Sequence, residues 1–261
     1  MKTGSLGASA AMFAALILIS PAAPAAGKAG KAGKSSCVAC HRELKAGSVW
    51  GHSFKEWENS PHARVGVECQ DCHKGDSSSS DASKAHVGLV VSNNPKSPIY
   101  FTNIPAFCGG CHKGEFKEFR RSRHFSELQR TGRGPNCLTC HGAMAASIPS
   151  PTFLQATCAN CHDQPLKVYE GLTSLSLARK NLARLGDLVA QADKEGVSAT
   201  AEKKANEALK KKYAGVQEQW HAFKMSVVLP EIKEISGGTA RSIRDLEMRL
   251  GAENGSTRGK K

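Results

Sequence analysis

Residues 137–141 read Cys137-Leu138-Thr139-Cys140-His141, and the same C-x-x-C-H pattern occurs at Cys37–His41, Cys69–His73, Cys108–His112 and Cys158–His162. This is the attachment signature of c-type haem. Cysteines three apart on a helical turn face the same way, so each can form a thioether to one of the two vinyl groups on a haem edge. The next residue then sets an imidazole under the iron as proximal ligand. The five copies consume all ten cysteines of the chain. Structural zinc would take such knuckles in pairs, four ligands to a metal, and five leave one without a partner. A thioredoxin-like dithiol would be a single C-x-x-C beside a βαβ pattern, which is absent. A disulfide scaffold gives no reason for a histidine after every second cysteine. Five covalently attached haems are therefore expected, held by Cys37, Cys40, Cys69, Cys72, Cys108, Cys111, Cys137, Cys140, Cys158 and Cys161, with His41, His73, His112, His141 and His162 on the irons.

Upstream of the first motif, residues 1–26 read as a signal peptide. Lys2 is the only charge, Leu6 to Ser20 form the apolar region, and Ala23-Pro24-Ala25 offers a small-residue cleavage site. An uncleaved anchor needs about 20 apolar residues, whereas this run stops at Pro21. The expected mature protein is soluble, has no stable membrane span after signal cleavage, and is exported to the periplasm, the outer surface or the extracellular space. Residues 27–36 form a Gly/Ala/Lys/Ser linker, predicted to be flexible.

From 37 to 162 apolar residues are sparse and turn residues dense, with Ser77 to Ser80 the clearest loop. Such a stretch cannot build its own core, and porphyrins would supply it. The expected fold class is mostly α, a haem-cored domain with little strand over 37–162, followed by an antiparallel helical hairpin at 163–230 that packs on it. Leu172, Leu175, Leu182, Leu185, Val189 and Ala192 mark the first hairpin helix. Glu195-Gly196-Val197-Ser198 breaks it, and Thr200 is expected to cap the second. The second stripe runs Ala201, Ala205, Leu209, Val216, Trp220, Phe223 and Val227 and is predicted to end at Pro230. Residues 231–251 are read as a short C-terminal helix, Thr239 to Leu250 after Gly237-Gly238, and 252–261 as a disordered tail.

An internal repeat lies inside the motif-bearing region. Phe54-Lys55-Glu56-Trp57-Glu58-Asn59-Ser60-Pro61-His62 matches Phe116-Lys117-Glu118-Phe119-Arg120-Arg121-Ser122-Arg123-His124 at a constant offset of 62 residues. Both copies end on histidine, which makes His62 and His124 the first candidates for distal iron ligands. Outside the motifs the chain also holds His52, His86 and His221, so five spare histidines face five haems. His221 stands on the second hairpin helix and is expected to return toward the last haem, at His162. His62 lies only seven residues before Cys69 and would have to wrap a macrocycle to reach the haem that follows it. It is therefore expected to pair with the haem at His41, and by the repeat His124 with the haem at His112. The fourth and fifth haems must borrow ligands from distant segments, because 137–162 contains no spare histidine. The five methionines offer no obvious ligand context, although Met144 lies three residues beyond His141.

The formal net charge of +13 would suit nucleic acid or an acidic membrane. Each ferric haem with its two propionates carries one net negative charge, so five reduce +13 to about +8, with Arg120, Arg121 and Arg123 available to pair with propionates. Export and the lack of a recognition motif argue against nucleic acid. A docking surface for an acidic redox partner fits the remaining charge.

Trp57-x-x-Ser60-x-His62-Ala63, with Gly66-Val67 before Cys69-Gln70-Asp71-Cys72-His73, resembles the multihaem c-type cytochromes. That superfamily includes the tetrahaem carrier of ammonia oxidisers, hydroxylamine oxidoreductase, pentahaem nitrite reductase and the membrane-anchored quinol dehydrogenases. The resemblance covers 37–162, and the hairpin also looks like the helical C-terminal parts of the catalytic members. It implies closely spaced haem pairs that pass electrons between a quinol-linked membrane donor and a periplasmic or extracellular acceptor. The chain departs from the nitrite reductases in having no C-x-x-C-K and from the quinol dehydrogenases in its cleavable leader. Two functions follow as expectations: an electron relay through bis-histidine haems, or an oxidoreductase acting on a nitrogen or sulfur oxyanion at a five-coordinate haem. A relay fills both axial positions on every iron, and an enzyme leaves one open.

Overall fold

The computed structural model describes residues 35–44, 49–163 and 165–258. The expected signal peptide and most of the linker lie outside the described residues, as do the side chains of 49–53 and of 253–258. The described chain is all-helical, with no strand among the described residues.

The motif-bearing half consists of short helices: α1 (Ser36–Arg42), α2 (Val49–Glu58), α3 (Pro61–Arg64), α4 (Cys69–His73), α5 (Ala82–Ala85), α6 (Ile104–Cys108), α7 (Lys113–Phe119), α8 (Arg123–Thr131), α9 (Cys137–His141) and α10 (Pro151–Ala159). Among the described residues they share one small apolar cluster, in which Val38, Phe54, Trp57 and Ala63 are buried and Cys69 and Met144 pack against it. Met144 is therefore part of the packing around the first motif. The Trp57 indole N–H donates to the Val67 carbonyl at 3.0 Å and ties α2 to the loop before the second motif. This half has little protein core of its own, as its composition predicts.

The second half is a bundle of three long helices, α11 (Leu166–Glu195), α12 (Thr200–Trp220) and α13 (Met225–Arg258). It corrects three expectations. The second helix ends at Trp220, ten residues before Pro230. Its N-cap is Ala199, with Thr200 already inside the helix and no side-chain cap. Beyond Trp220, α13 runs unbroken through Pro230, Gly237 and Gly238, and continues across Gly251 to Arg258, where a short helix and a disordered tail were expected. The cause is a continuous stripe. Val228, Ile232, Ile235, Thr239, Ile243, Leu246 and Leu250 recur at three or four residues and are all buried. A glycine inside a helix costs about 1 kcal/mol, less than the roughly 1.5–3 kcal/mol from burying one such aliphatic side chain.

Two glycines in the bundle are there for contact. A Cβ on Gly171 would lie 2.8 Å from the Trp220 ring, and one on Gly238 would lie 3.1 Å from Leu209. They let α12 and α13 approach α11 and each other closely. One cluster, with Leu175, Leu182, Val216, Trp220 and Ile232, fills the end nearer the motifs. A second, with Leu185, Val189, Leu246 and Leu250, fills the tip. The bundle meets the motif-bearing half where α11 follows α10 and where Glu218 of α12 lies on Gly114 of α7.

Candidate functional site

The repeat encodes a turn that presents a histidine. In each copy a helix ends, a buried serine caps the next helix, and the histidine occupies that helix's second position. The Ala63 N–H donates to Ser60 Oγ, and the Phe125 N–H donates to Ser122 Oγ, both at 3.1 Å. Capping serines satisfy one of the otherwise unpaired N–H groups of a helix start, and here they also fix where His62 and His124 leave the backbone. Ser60→Ala and Ser122→Ala should each cost about 1 kcal/mol in a denaturant melt and change the electronic spectrum of the purified protein. Ser150 caps α10 in the same way, but Thr152 stands in the histidine's place. Ser150→Ala should lower stability and leave the spectrum unchanged.

Four pairs of imidazoles face one another across the motif-bearing half. Ring centres are 6.4 Å apart for His41 and His86, 6.0 Å for His62 and His112, 5.9 Å for His124 and His162, and 6.2 Å for His141 and His221. Two imidazoles on opposite sides of one metal, each bonded at about 2.0–2.1 Å, put their ring centres roughly 6.3 Å apart. Ordinary ring contacts also fall between about 4.5 and 7 Å, so distance alone does not separate the two cases. What the four pairs share is their composition. Each joins one C-x-x-C-H histidine to one spare histidine, and none joins two of a kind.

The His141/His221 pair has the most complete surroundings. Nδ1 of His141 is 2.9 Å from the Ser147 carbonyl, and Nδ1 of His221 is 2.8 Å from the Gln217 carbonyl. With Nδ1–H given to a carbonyl, the nitrogen left with a free lone pair on each ring is Nε2. That is the second-sphere arrangement that orients metal-bound histidines and raises their basicity. The two rings are within 18° of parallel. Charge state agrees. Burial first, and the facing imidazole second, hold His41, His62 and His124 below the usual histidine range. Burial leads at His221 too, opposed by the Gln217 carbonyl and reinforced by His141, with a net lowering. Neutral imidazole is the form that binds metals.

The thiols lie beside one another in motif order. Cys69 interacts with Cys37, Cys72 with Cys108 and Cys111, and Cys140 with Cys158, while the Cys137 thiol hydrogen-bonds to Cys108. Burial, with Cys37 adjoining, pushes the Cys69 thiol up to about 11; burial, with Cys158 adjoining, does the same to Cys140. The Cys108 thiol moves the other way, held below the usual thiol range by the hydrogen bond from Cys137. Among the described residues no three His, Cys, Asp or Glu side chains converge on one point. The imidazoles meet in twos. Beside the third motif, Gly109, Lys113, Phe116, Lys117, Arg120 and Arg121 line an open cleft of about 420 Å³. Arg121 is held by Glu118 at 3.1 Å and Arg120 lies over the Phe116 ring, so Lys113 and Lys117 face the cleft without those ties. Cations there suit carboxylates such as propionates. The donor set, the spacing and the cleft fit covalent haem. Comparison with models of known families, with curated proteins and with solved structures finds no match.

Three pairings expected from the sequence are corrected. His62 faces His112, not His41; His124 faces His162, not His112; His221 faces His141, not His162. Both repeat histidines skip the motif that follows them and meet the next one, 50 and 38 residues downstream. The Val38 side of α1 is occupied by Phe54 and Trp57 of α2, while His41 turns to His86. His221 misses His162 because Glu218 of α12 lies on Gly114, and α12 ends over the fourth motif. No second imidazole is in ring contact with His73 among the described residues. His52, the remaining spare histidine, belongs to α2, where its side chain is not described.

Phe223 was not legible as a site residue. The α12 stripe claims it as a core position, whereas it lies in the break between α12 and α13 with its ring against His124.

Proposed function

We propose that this chain is a pentahaem c-type cytochrome of the exported compartment, relaying electrons through bis-histidine haems between a quinol-linked membrane donor and a periplasmic or extracellular redox partner. The observation that carries this is the composition of the four imidazole pairs, each one motif histidine against one spare histidine. Haem, when bound, supplies one-electron chemistry at iron. The ten thiols would add across vinyl groups and fix each macrocycle by its edge. The paired imidazoles would occupy both axial positions, holding iron low-spin and closing it to small substrates.

The proposed relay runs in the order of the motifs. Thiols of successive motifs adjoin from Cys37–Cys69 through Cys140–Cys158, so attachment edges would run first to fifth in sequence order. The distal histidines stitch that line together, since His62, His86, His124 and His221 each come from a segment other than the motif they face. Lys113 and Lys117 beside the third motif offer a basic approach for an acidic partner, a contact that would steer association more than it strengthens it.

Paramagnetic resonance of the oxidised protein tests this. Near-parallel imidazole planes split the two iron orbitals that lie toward them, and crossed planes leave those orbitals close in energy. The His141/His221 pair at 18° should give a rhombic low-spin signal, and the His41/His86 pair at 80° a low-spin signal with a large principal g value. Turnover of nitrite or hydroxylamine with a reduced dye should be negligible. A high-spin signal accompanied by turnover would replace this reading with that of an oxyanion-reducing enzyme.

A further inference from the structure

Positive backbone φ belongs to glycine at Gly66, Gly75, Gly88, Gly132, Gly142 and Gly196, and among the described residues to three others: Lys74, Ala146 and Phe223. Phe223, at φ +55°, is the only aromatic one. A bulky side chain there is a true outlier, and such strain persists where surrounding contacts require it. The break between α12 and α13 needs only a residue that tolerates this conformation. Glycine or asparagine would serve the backbone at lower cost, so the phenylalanine ring itself needs a reason.

The ring contact supplies one. Phe223 meets His124 edge to face, centre to centre 4.5 Å at 77°. His124 is the spare member of the pair at the fifth motif, facing His162, and its Nδ1 is buried with no hydrogen-bond partner. His141 and His221 have both Nδ1 atoms set by backbone carbonyls. At His124 nothing of that kind fixes rotation about the side-chain bonds. We propose that Phe223 is the positioning residue of the fifth site, its ring fixing the orientation of His124 as a carbonyl fixes that of His221, without the carbonyl's effect on basicity. The same tight break thus serves two sites, His221 against His141 and Phe223 against His124. This rests on the haem reading above. A histidine without a carbonyl on Nδ1 is the weaker electron donor, so the iron carried by His162 should have a higher reduction potential than the iron carried by His141.

The test uses the full-length exported protein with its haems attached. Phe223→Gly removes the ring and relieves the backbone strain at once, and Phe223→Tyr keeps the ring. In Phe223→Gly one haem in five should become high-spin and bind carbon monoxide when reduced, and one potential should move, with the thermal midpoint of the bundle not lowered. Phe223→Tyr should match wild type in spin state and potentials. If Phe223→Gly carries five low-spin haems with unchanged potentials, the assignment is wrong while the haem reading stands. If wild type carries no covalent haem, the haem reading itself has failed. Should Phe223→Gly not accumulate, Phe223→Leu decides by the same measurements, because it keeps bulk without an aromatic edge.

Discussion

Acid–acetone treatment of the purified exported protein should leave five haem masses covalently attached to the chain, and protein made without haem attachment should lose the fold of its first half. The two results have one cause. Among the described residues between 37 and 162 the buried apolar cluster is Val38, Phe54, Trp57 and Ala63, with Ile104, Phe119, Leu128 and Leu154 buried outside it, too little to order a stretch of that length against a chain entropy of about 1–2 kcal/mol per residue. The four imidazole pairs make this worse in the apoprotein, since neutral imidazoles facing one another across 6 Å gain little without a metal between them. The bundle is different. It has two apolar clusters of its own, so the 30, 21 and 34 residues of α11, α12 and α13 should remain helical when the cofactor is missing. Far-ultraviolet circular dichroism of apoprotein should therefore show the bundle's helicity and little more, with proteolysis confined to the first half. Any count other than five would sink the stoichiometry. An apoprotein with its first half intact would mean that the core has been misjudged.

What the sequence made legible and what it hid differ by the range of the interaction. The C-x-x-C-H spacing, the break at Gly196 and the α11 stripe are local, and the described structure follows them. The repeat was readable as a unit and even carried its mechanism, because Ser60 and Ser122 are in the matched pattern as helix caps. Which motif each histidine would meet was not readable. Reasoning from the six residues between His62 and Cys69 set aside the nearest motif and then moved upstream, whereas the chain moves downstream past one motif to His112. That choice is made by α2 covering the Val38 side of α1, a contact that no spacing expresses.

The third helix was missed for a related reason. Pro230 and Gly237-Gly238 are strong local stop signals, but Val228 to Leu250 form a seven-residue stripe that every turn of α11 and α12 can cover. Tertiary burial outweighs two glycines, and Gly238 turns into an asset by admitting Leu209. Phe223 shows the reverse. Its spacing from Val216 and Trp220 makes it look like another core position, and only the backbone reveals that it sits outside any helix.

His221→Ala should convert one low-spin haem in five to a high-spin form that binds carbon monoxide or cyanide, leaving the other four unchanged. The haem affected is predicted to be the fourth, because His221 faces His141, so a companion His141→Ala variant should disturb the same set of spectral bands. His124→Ala should open a different one. The substitution also acts on the bundle. His221 follows the last residue of α12, its Nδ1 bonded to Gln217 and its neighbour Trp220 packed on Gly171. Through this histidine, coordination to iron would fasten the α12 end to the motif-bearing half. Losing it removes that link and leaves a void, at a cost of about 0.5–3 kcal/mol, read as a lower denaturant midpoint for the helical signal. The carbonyls of Gln217 and Glu218 lie on the last turn and can turn to water, so the helix itself should persist. The decisive outcome is spectral. If wild type already contains a high-spin haem, and His221→Ala alters neither spin state nor carbon monoxide binding, then His221 is no ligand. The open iron would then mark a substrate site, and the electron-relay reading would give way to catalysis.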